Sequence, residues 1–231
     1  MIPLQEKSRG NPAHTQSAFT LLEVLISVTI LTILLVAVYG TFTSNVEAVQ
    51  IARFNSQINQ TARIVFDRMI KDFESAIVEL PVEGLELGIV GENEEIDGMA
   101  ADRIDFTSLA HIPMGRNQVR TDLCEIGYFL EKDESGEGLI LYRREDWSVD
   151  EDFTEGGRSF ELARMISGLD IVYGDSQGES SEEWNVEGDE AGRPLLPSLI
   201  NIRLTMKDPL GREKTLTTSV HPVLTGPAPD E

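Results

Sequence analysis

Ala18, Phe19 and Glu23 are the residues whose types and spacing suggest chemistry. They lie in Ala18-Phe19-Thr20-Leu21-Leu22-Glu23-Val24, where a polar leader ends and an apolar run begins. From Phe19 to Phe42 there are 24 residues, and Glu23 is the only acidic or basic side chain among them. A helix needs about 20 mostly apolar residues to cross a bilayer. A carboxylate inside such a helix is costly and requires a reason. A cut before Phe19 supplies one: the new α-ammonium would lie one helical turn from the Glu23 carboxylate, and the two can neutralise each other between neighbouring subunits.

Other reactive patterns are missing. No His-Glu-x-x-His, Cys-x-x-Cys, Walker or Gly-x-Ser-x-Gly string occurs. His14, His111 and His221 are far apart in sequence, and His14 belongs to the leader. Nothing nominates a catalytic residue, and the chain reads as a non-enzyme. Cys124 is the only cysteine, which rules out an intramolecular disulfide. Its setting, Leu123-Cys124-Glu125-Ile126, reads as a buried structural thiol. Seven acids, Asp175, Glu179, Glu182, Glu183, Glu187, Asp189 and Glu190, gather around Trp184. Calcium takes about six to eight oxygens from flexible loops, which makes Asp175, Glu179, Glu182 and Glu183 the candidate ligands. Their spacing matches no EF-hand, and a solvated charge run is the plainer reading, so no cofactor is expected. Asn59-Gln60-Thr61 matches a glycosylation acceptor but falls mid-helix and carries no weight.

Charge sets the topology. Lys7 and Arg9 precede the apolar run, and no Lys or Arg returns until Arg53, which places the leader in the cytoplasm and the rest across the membrane. The whole chain carries −21; Lys7 and Arg9 against Glu6 leave the leader at +1, so the remainder carries −22. Such a balance argues against nucleic acid or an anionic lipid surface as a partner. A secretory signal has a shorter apolar region, roughly 7–15 residues, with its cleavage site after it. A plain signal anchor leaves Glu23 unexplained.

The elements that position these residues follow from periodicity. Apolar residues recur at Ile51, Phe54, Ile58, Ala62, Val65, Met69, Phe73 and Ile77 in steps of three or four, one buried helical stripe. No proline occurs between Pro12 and Pro81, so one helix is predicted from about 19 to about 80, on the order of 90 Å long, with Gly40 the place for flexure and Pro81 its end. Residues 81–102, Gly- and Glu-rich around Glu92-Asn93-Glu94-Glu95, read as a loop with at most a short strand at Leu85–Val90. Strands are predicted at Arg103–Leu109, at Glu125–Glu131 and Gly138–Arg144 as a hairpin, at Phe160–Ile166 leading into Leu169–Tyr173, and at Ile200–Met206 with a return strand holding Leu216 and Val220. Asp208-Pro209-Leu210-Gly211 supplies that last turn. The fold class is α+β, a long helix packed on antiparallel sheet. The parts are a leader (1–18), a spanning helix (19–42), a globular domain (43–224) that includes the amphipathic half of the helix (43–80), and a disordered tail (225–231).

The string from Ala18 to Ile26 is similar to the N-terminal signature of the prepilin family, which comprises type IV pilins and the pseudopilins of type II secretion. That signature is a small residue followed by Phe-Thr-Leu-Leu-Glu-Val and an apolar helix. The family usually has Gly before the cut; Ala18 is its nearest steric substitute. The resemblance implies that a prepilin peptidase cuts between Ala18 and Phe19 and methylates the Phe19 amine. It implies that Glu23 pairs with the amine of a neighbouring Phe19 to set axial register. It also implies a pilin-like fold, and a single pass through the inner membrane with the domain in the periplasm.

Beyond the signature, the layout resembles the minor pseudopilins of type II secretion of the J type (GspJ). The residues concerned are Arg63-Ile64-Val65-Phe66-Asp67-Arg68-Met69-Ile70-Lys71-Asp72-Phe73, the hairpin Tyr128-Phe129-Leu130 with Leu139-Ile140-Leu141-Tyr142-Arg143, then Tyr173-Gly174-Asp175, Trp184, Leu196-Pro197 and Ile200–Met206. Lack of a disulfide agrees with a pseudopilin. The implied partners are I-, K- and H-like minor pseudopilins, the major pseudopilin and the prepilin peptidase, with a place at the tip of a periplasmic filament. The alternatives are a minor pilin of a type IV pilus or competence system, or a periplasmic binding domain on a prepilin-type anchor.

Overall fold

The structure is a computed structural model and describes residues 20–78, 87–110, 123–134, 136, 138–149, 152–185, 196–208 and 211–222. The cut site at Ala18–Phe19, Pro81 and the tail from residue 225 lie outside them. The chain forms two compact units, Met1–Arg53 and Phe54–Glu231. Helix α1 (Leu21–Glu74) begins in the first, continues without a break at Gly40, and ends in the second. Among the described residues it is the one helix long and apolar enough to cross a membrane.

Within the second unit the stripe behaves as periodicity requires. Ile58, Ala62, Val65, Met69 and Phe73 are buried, and Phe54 is half-buried. The helix stops at Glu74, earlier than the predicted 80, and no proline stops it. Strand β4 (Arg103–Ser108) captures the backbone beyond the last turn: the Leu109 amide donates to Ser75 O (2.9 Å) and the Ile77 amide to Thr107 O (2.9 Å). The Ser108 hydroxyl donates to the Asp72 carbonyl (3.0 Å), satisfying a group that a helix end leaves open. Ile77, the last residue of the stripe, therefore sits in extended chain.

The sheet is antiparallel. Its strands are β1 (Ile89–Glu92), β4, β5 (Cys124–Lys132), β6 (Leu139–Asp146), β7 (Arg158–Gly174), β9 (Leu199–Lys207) and β10 (Glu213–Val220), in the order β1-β4-β5-β6-β7-β9-β10, with β8 (Ser180–Ser181) on β7. β2 (Glu95–Ile96) and β3 (Met99–Ala100) form a separate hairpin. That hairpin corrects the loop expected at 81–102. Asp97 and Gly98 both take positive φ (53° and 76°), the two-residue turn that matches strand twist, so a Glu-rich composition still folds back on itself.

β7 joins the two strands expected at 160–166 and 169–173 into 17 residues. Its first half pairs with β6 and its second with β9. The register shifts where the partner changes, next to Met165, which adopts φ 61°. A bulge thus re-aims one strand, and sequence pattern reads that as a gap. The sheet curls back on itself: Ala101 bridges Leu169, and Gly91 bridges Trp184. Inside, Phe73 stacks on Phe106 at 4.7 Å between centroids, with Tyr128 at 6.1 Å. Ile200, Ile202, Leu204 and Met206 of β9 point into this core, as their alternation predicts.

Candidate functional site

The first turn of α1 is built by Thr20 and Glu23. Thr20 is the cap: its carbonyl accepts the amides of Glu23 (3.1 Å) and Val24 (3.3 Å), and its hydroxyl oxygen accepts the Glu23 amide (3.3 Å). Thr-x-x-Glu is the sequence of a capping box, and a carboxylate in the first turn opposes the positive end of the helix dipole. The sequence carried this signal in Thr20-Leu21-Leu22-Glu23, yet its reading gave Glu23 no cap role.

The rest of the apolar segment ties its serine and threonine hydroxyls to its own backbone. Ser27, Thr29 and Thr32 donate their hydroxyls to the carbonyls of Glu23, Leu25 and Val28 at 2.7–2.8 Å. Thr41 bonds to Val38 O (2.8 Å) and Thr43 to Gly40 O (3.0 Å). A hydroxyl tied to the preceding turn is tolerated in hydrocarbon, because its own donor is satisfied. Glu23 differs: its carboxylate has no partner among the described residues, and its side chain is exposed. Nothing in the structure tests the pairing with Phe19, which lies outside the described residues.

The four proposed calcium ligands do not converge. Asp175 Oδ1 accepts the amides of Gln177 and Glu179, both at 2.8 Å, and so caps its own turn. Glu182 accepts the Asn93 side-chain amide at 2.9 Å. Glu179 and Glu183 are exposed. Among the described residues no group of three or more His, Cys, Asp or Glu is set to hold a metal. Glu187, Asp189 and Glu190 lie outside them.

A buried charge cluster escaped the sequence reading. Asp72, fully buried one residue from the stripe, accepts from Arg143 Nε (2.6 Å) and the Tyr128 hydroxyl (2.6 Å), and pairs with Arg68 (2.6 Å). Arg143 also pairs with Glu145. Burial alone would lower the Arg143 pKa; the hydrogen bond and charge of Asp72 outweigh it and hold the guanidinium firmly protonated. Burial, and then the charge of Asp72, raise Tyr128 well above the usual tyrosine range, so it stays a donor. Cys124 bonds to Ser108 O (3.4 Å), and burial pushes its thiol up to about 12, which makes it inert, as its setting suggested.

The neighbouring Arg144 faces the other side of the sheet. It pairs with Asp105 (2.9 Å) and donates to the carbonyls of Phe153 and Glu155. Arg103 pairs with the same Asp105 (2.6 Å) and donates to Thr154 O (3.0 Å). Two guanidiniums thus hold the 152–157 loop by its backbone. The available signal was Arg143-Arg144 in mid-strand, since consecutive strand residues face opposite ways and both must find partners if both faces are covered.

Residues 14–39 match the family described as the prokaryotic N-terminal methylation motif. The match spans the cap, Glu23 and most of the apolar run. No curated protein sequence matches this chain. Among solved structures, a chain of the GspK–GspI–GspJ complex from the type 2 secretion system of enterotoxigenic Escherichia coli is similar, at 14% identity, over 73% of this chain and 98% of that one, with a TM-score of 0.45. The chain thus carries an N-terminal methylation motif on the one long apolar helix among the described residues, followed by an α+β domain.

Proposed function

We propose that this chain is a structural minor pseudopilin of a type II secretion system, of the J type, and that it acts by assembly and not by catalysis. In this reading a prepilin peptidase cuts after Ala18 and methylates the Phe19 amine. Residues 19–42 hold the subunit in the inner membrane with residues 43–224 in the periplasm. The mature helix then joins a short filament, capping its tip with I- and K-like subunits, with an H-like subunit and the major pseudopilin as further partners, and the filament drives folded proteins through the outer membrane.

One observation carries the reading: Ser27, Thr29, Thr32 and Thr41 tie their hydroxyls to the helix's own backbone, whereas the Glu23 carboxylate, inside the segment that matches a methylation motif, has no partner among the described residues. A buried, unpaired carboxylate costs several kcal/mol. A neighbour's Phe19 ammonium would remove that cost in one axial register and in no other.

The test is Glu23→Ala in the full chain, expressed with its neighbouring subunits. The variant should insert and be cleaved normally but co-purify poorly with the I- and K-like subunits. Normal co-purification would remove the register argument. If the wild-type chain binds no minor pseudopilin and instead assembles with type IV pilus subunits, it is a minor pilin.

A further inference from the structure

The two edges of the main sheet differ. β1 is four residues long and is closed off by Trp184, which exchanges two backbone hydrogen bonds with Gly91 (2.7 and 2.9 Å). β10 is eight residues long and pairs with β9 in unbroken register from Glu213↔Lys207 to Val220↔Ile200. No described residue pairs with its outer side. It has no proline and no bulge, and three of its eight residues are threonine, which favours extended chain. Edge strands present unpaired N–H and C=O groups, and most proteins blunt them with shortness, bulges, proline or charge. Of these devices β10 has only two charges at its start, Glu213 and Lys214, and the Lys214 side chain bonds to Asn59 of α1 (2.7 Å).

Beside this edge runs a groove of about 450 Å³ between α1 and β10. Ala62, Phe66, Ile70 and Leu216 give it an apolar floor, and all but Ala62 are only half-buried. Its rim is cationic in a chain of net charge −21. Asp67 is neutralised by Lys71 (3.1 Å), whereas Arg63 has no ion-pair partner among the described residues and Lys214 meets only the neutral Asn59 amide.

We propose that β10 and this groove are a docking site for an extended, acidic segment of a different protein, which adds to the sheet as a further strand. Side chains of a strand alternate between faces, so the segment needs an apolar residue for the groove with acidic residues two positions away to meet Arg63 and Lys214. A second copy fits less well. Its own β10 offers Leu216 flanked by Lys214 and Thr218, which would set lysine against Arg63 and Lys214. The proposal does not depend on the filament reading.

The test pans a displayed library of random eight-residue peptides against the full chain in detergent micelles, then follows hydrogen exchange with a synthetic copy of the enriched peptide. Enriched peptides should carry the acidic-x-apolar pattern, and binding should slow exchange at alternate amides of β10. Arg63→Glu with Lys214→Glu, both surface changes, should weaken binding by about tenfold or more. Enrichment of no peptide, or of basic ones, would overturn the proposal, as would protection elsewhere or undiminished binding by the double variant. Protection of β10 that grows with protein concentration in the absence of peptide would assign the edge to a second copy and equally overturn it.

Discussion

Asp72 Oδ2 lies 2.6 Å from Arg143 Nε, and both side chains are removed from water, one on α1 and the other 71 residues later on β6. This pair fixes the rotation of the helix on the sheet, since a slip of one residue would carry Asp72 away and leave the buried Arg143 with Glu145 alone.

Breaking the pair from one side should therefore be severe. Asp72→Ala or Arg143→Ala should each lower stability by about 3–5 kcal/mol, because each takes a charged partner from a buried charge, leaving only Glu145 to pair with Arg143 or Arg68 to pair with Asp72. Replacing Asp72 and Arg143 together with leucine and methionine should cost far less than the sum of the single changes. Urea denaturation of the full chain in micelles, followed by tryptophan fluorescence, measures both.

Asp102 should make stability fall as pH rises. Burial is the main cause that raises its carboxyl from 3.8 to about 6; the Ile171 amide, bonded at 2.6 Å, opposes the rise, and Asp170 adds to it. The folded state thus holds a proton that the unfolded chain releases. The contribution is complete below about 3.8 and is lost as pH climbs through about 6. Its ceiling is about 3 kcal/mol. Melting curves between those limits should show the loss in wild type and a flatter profile in Asp102→Asn, and an unchanged slope in the variant would refute the assignment.

Gly91→Ala should disturb the seam between β1 and Trp184. A Cβ there would overlap the ring and hydroxyl of Tyr173, which sits 6.0 Å from Trp184 between ring centroids. Overpacking of this kind costs about 1–3 kcal/mol. Displacement of Tyr173 should shift Trp184 emission, read in a Trp147→Phe background.

Arg144→Met should release the 152–157 loop while leaving the helix in place. The loop's carbonyls at Phe153 and Glu155 lose their shared donor, whereas Asp72 keeps Arg143 and Arg68. Limited proteolysis should then cut within residues 152–157, and α1 amides should keep their protection. Loss of protection in both would show that the two arginines form one cooperative unit.

The motif around Glu23, the helix and most of the strands were legible in the sequence because each rests on local rules. The stripe from Ile58 to Phe73, the alternation from Ile200 to Met206 and the Glu125–Arg144 hairpin all repeat at the period of their element. The Asp97-Gly98 hairpin and the Thr20–Glu23 cap were equally local, and their turn and cap signals were present but outweighed by composition and by charge. The helix end at Glu74 was not local: it is set by Ser108 and Thr107, more than thirty residues on.

What the sequence by itself determined is the segment long and apolar enough to cross a membrane and the pattern of buried faces, since hydrophobicity and periodicity act residue by residue. What only the tertiary structure decided is which charges share a partner. Asp72 with Arg143, Asp105 with Arg103 and Arg144, and Asp102 with the backbone of Ile171 are pairings across strands and helix. The free energy of a charge depends on distance and burial, and neither exists until the chain has folded.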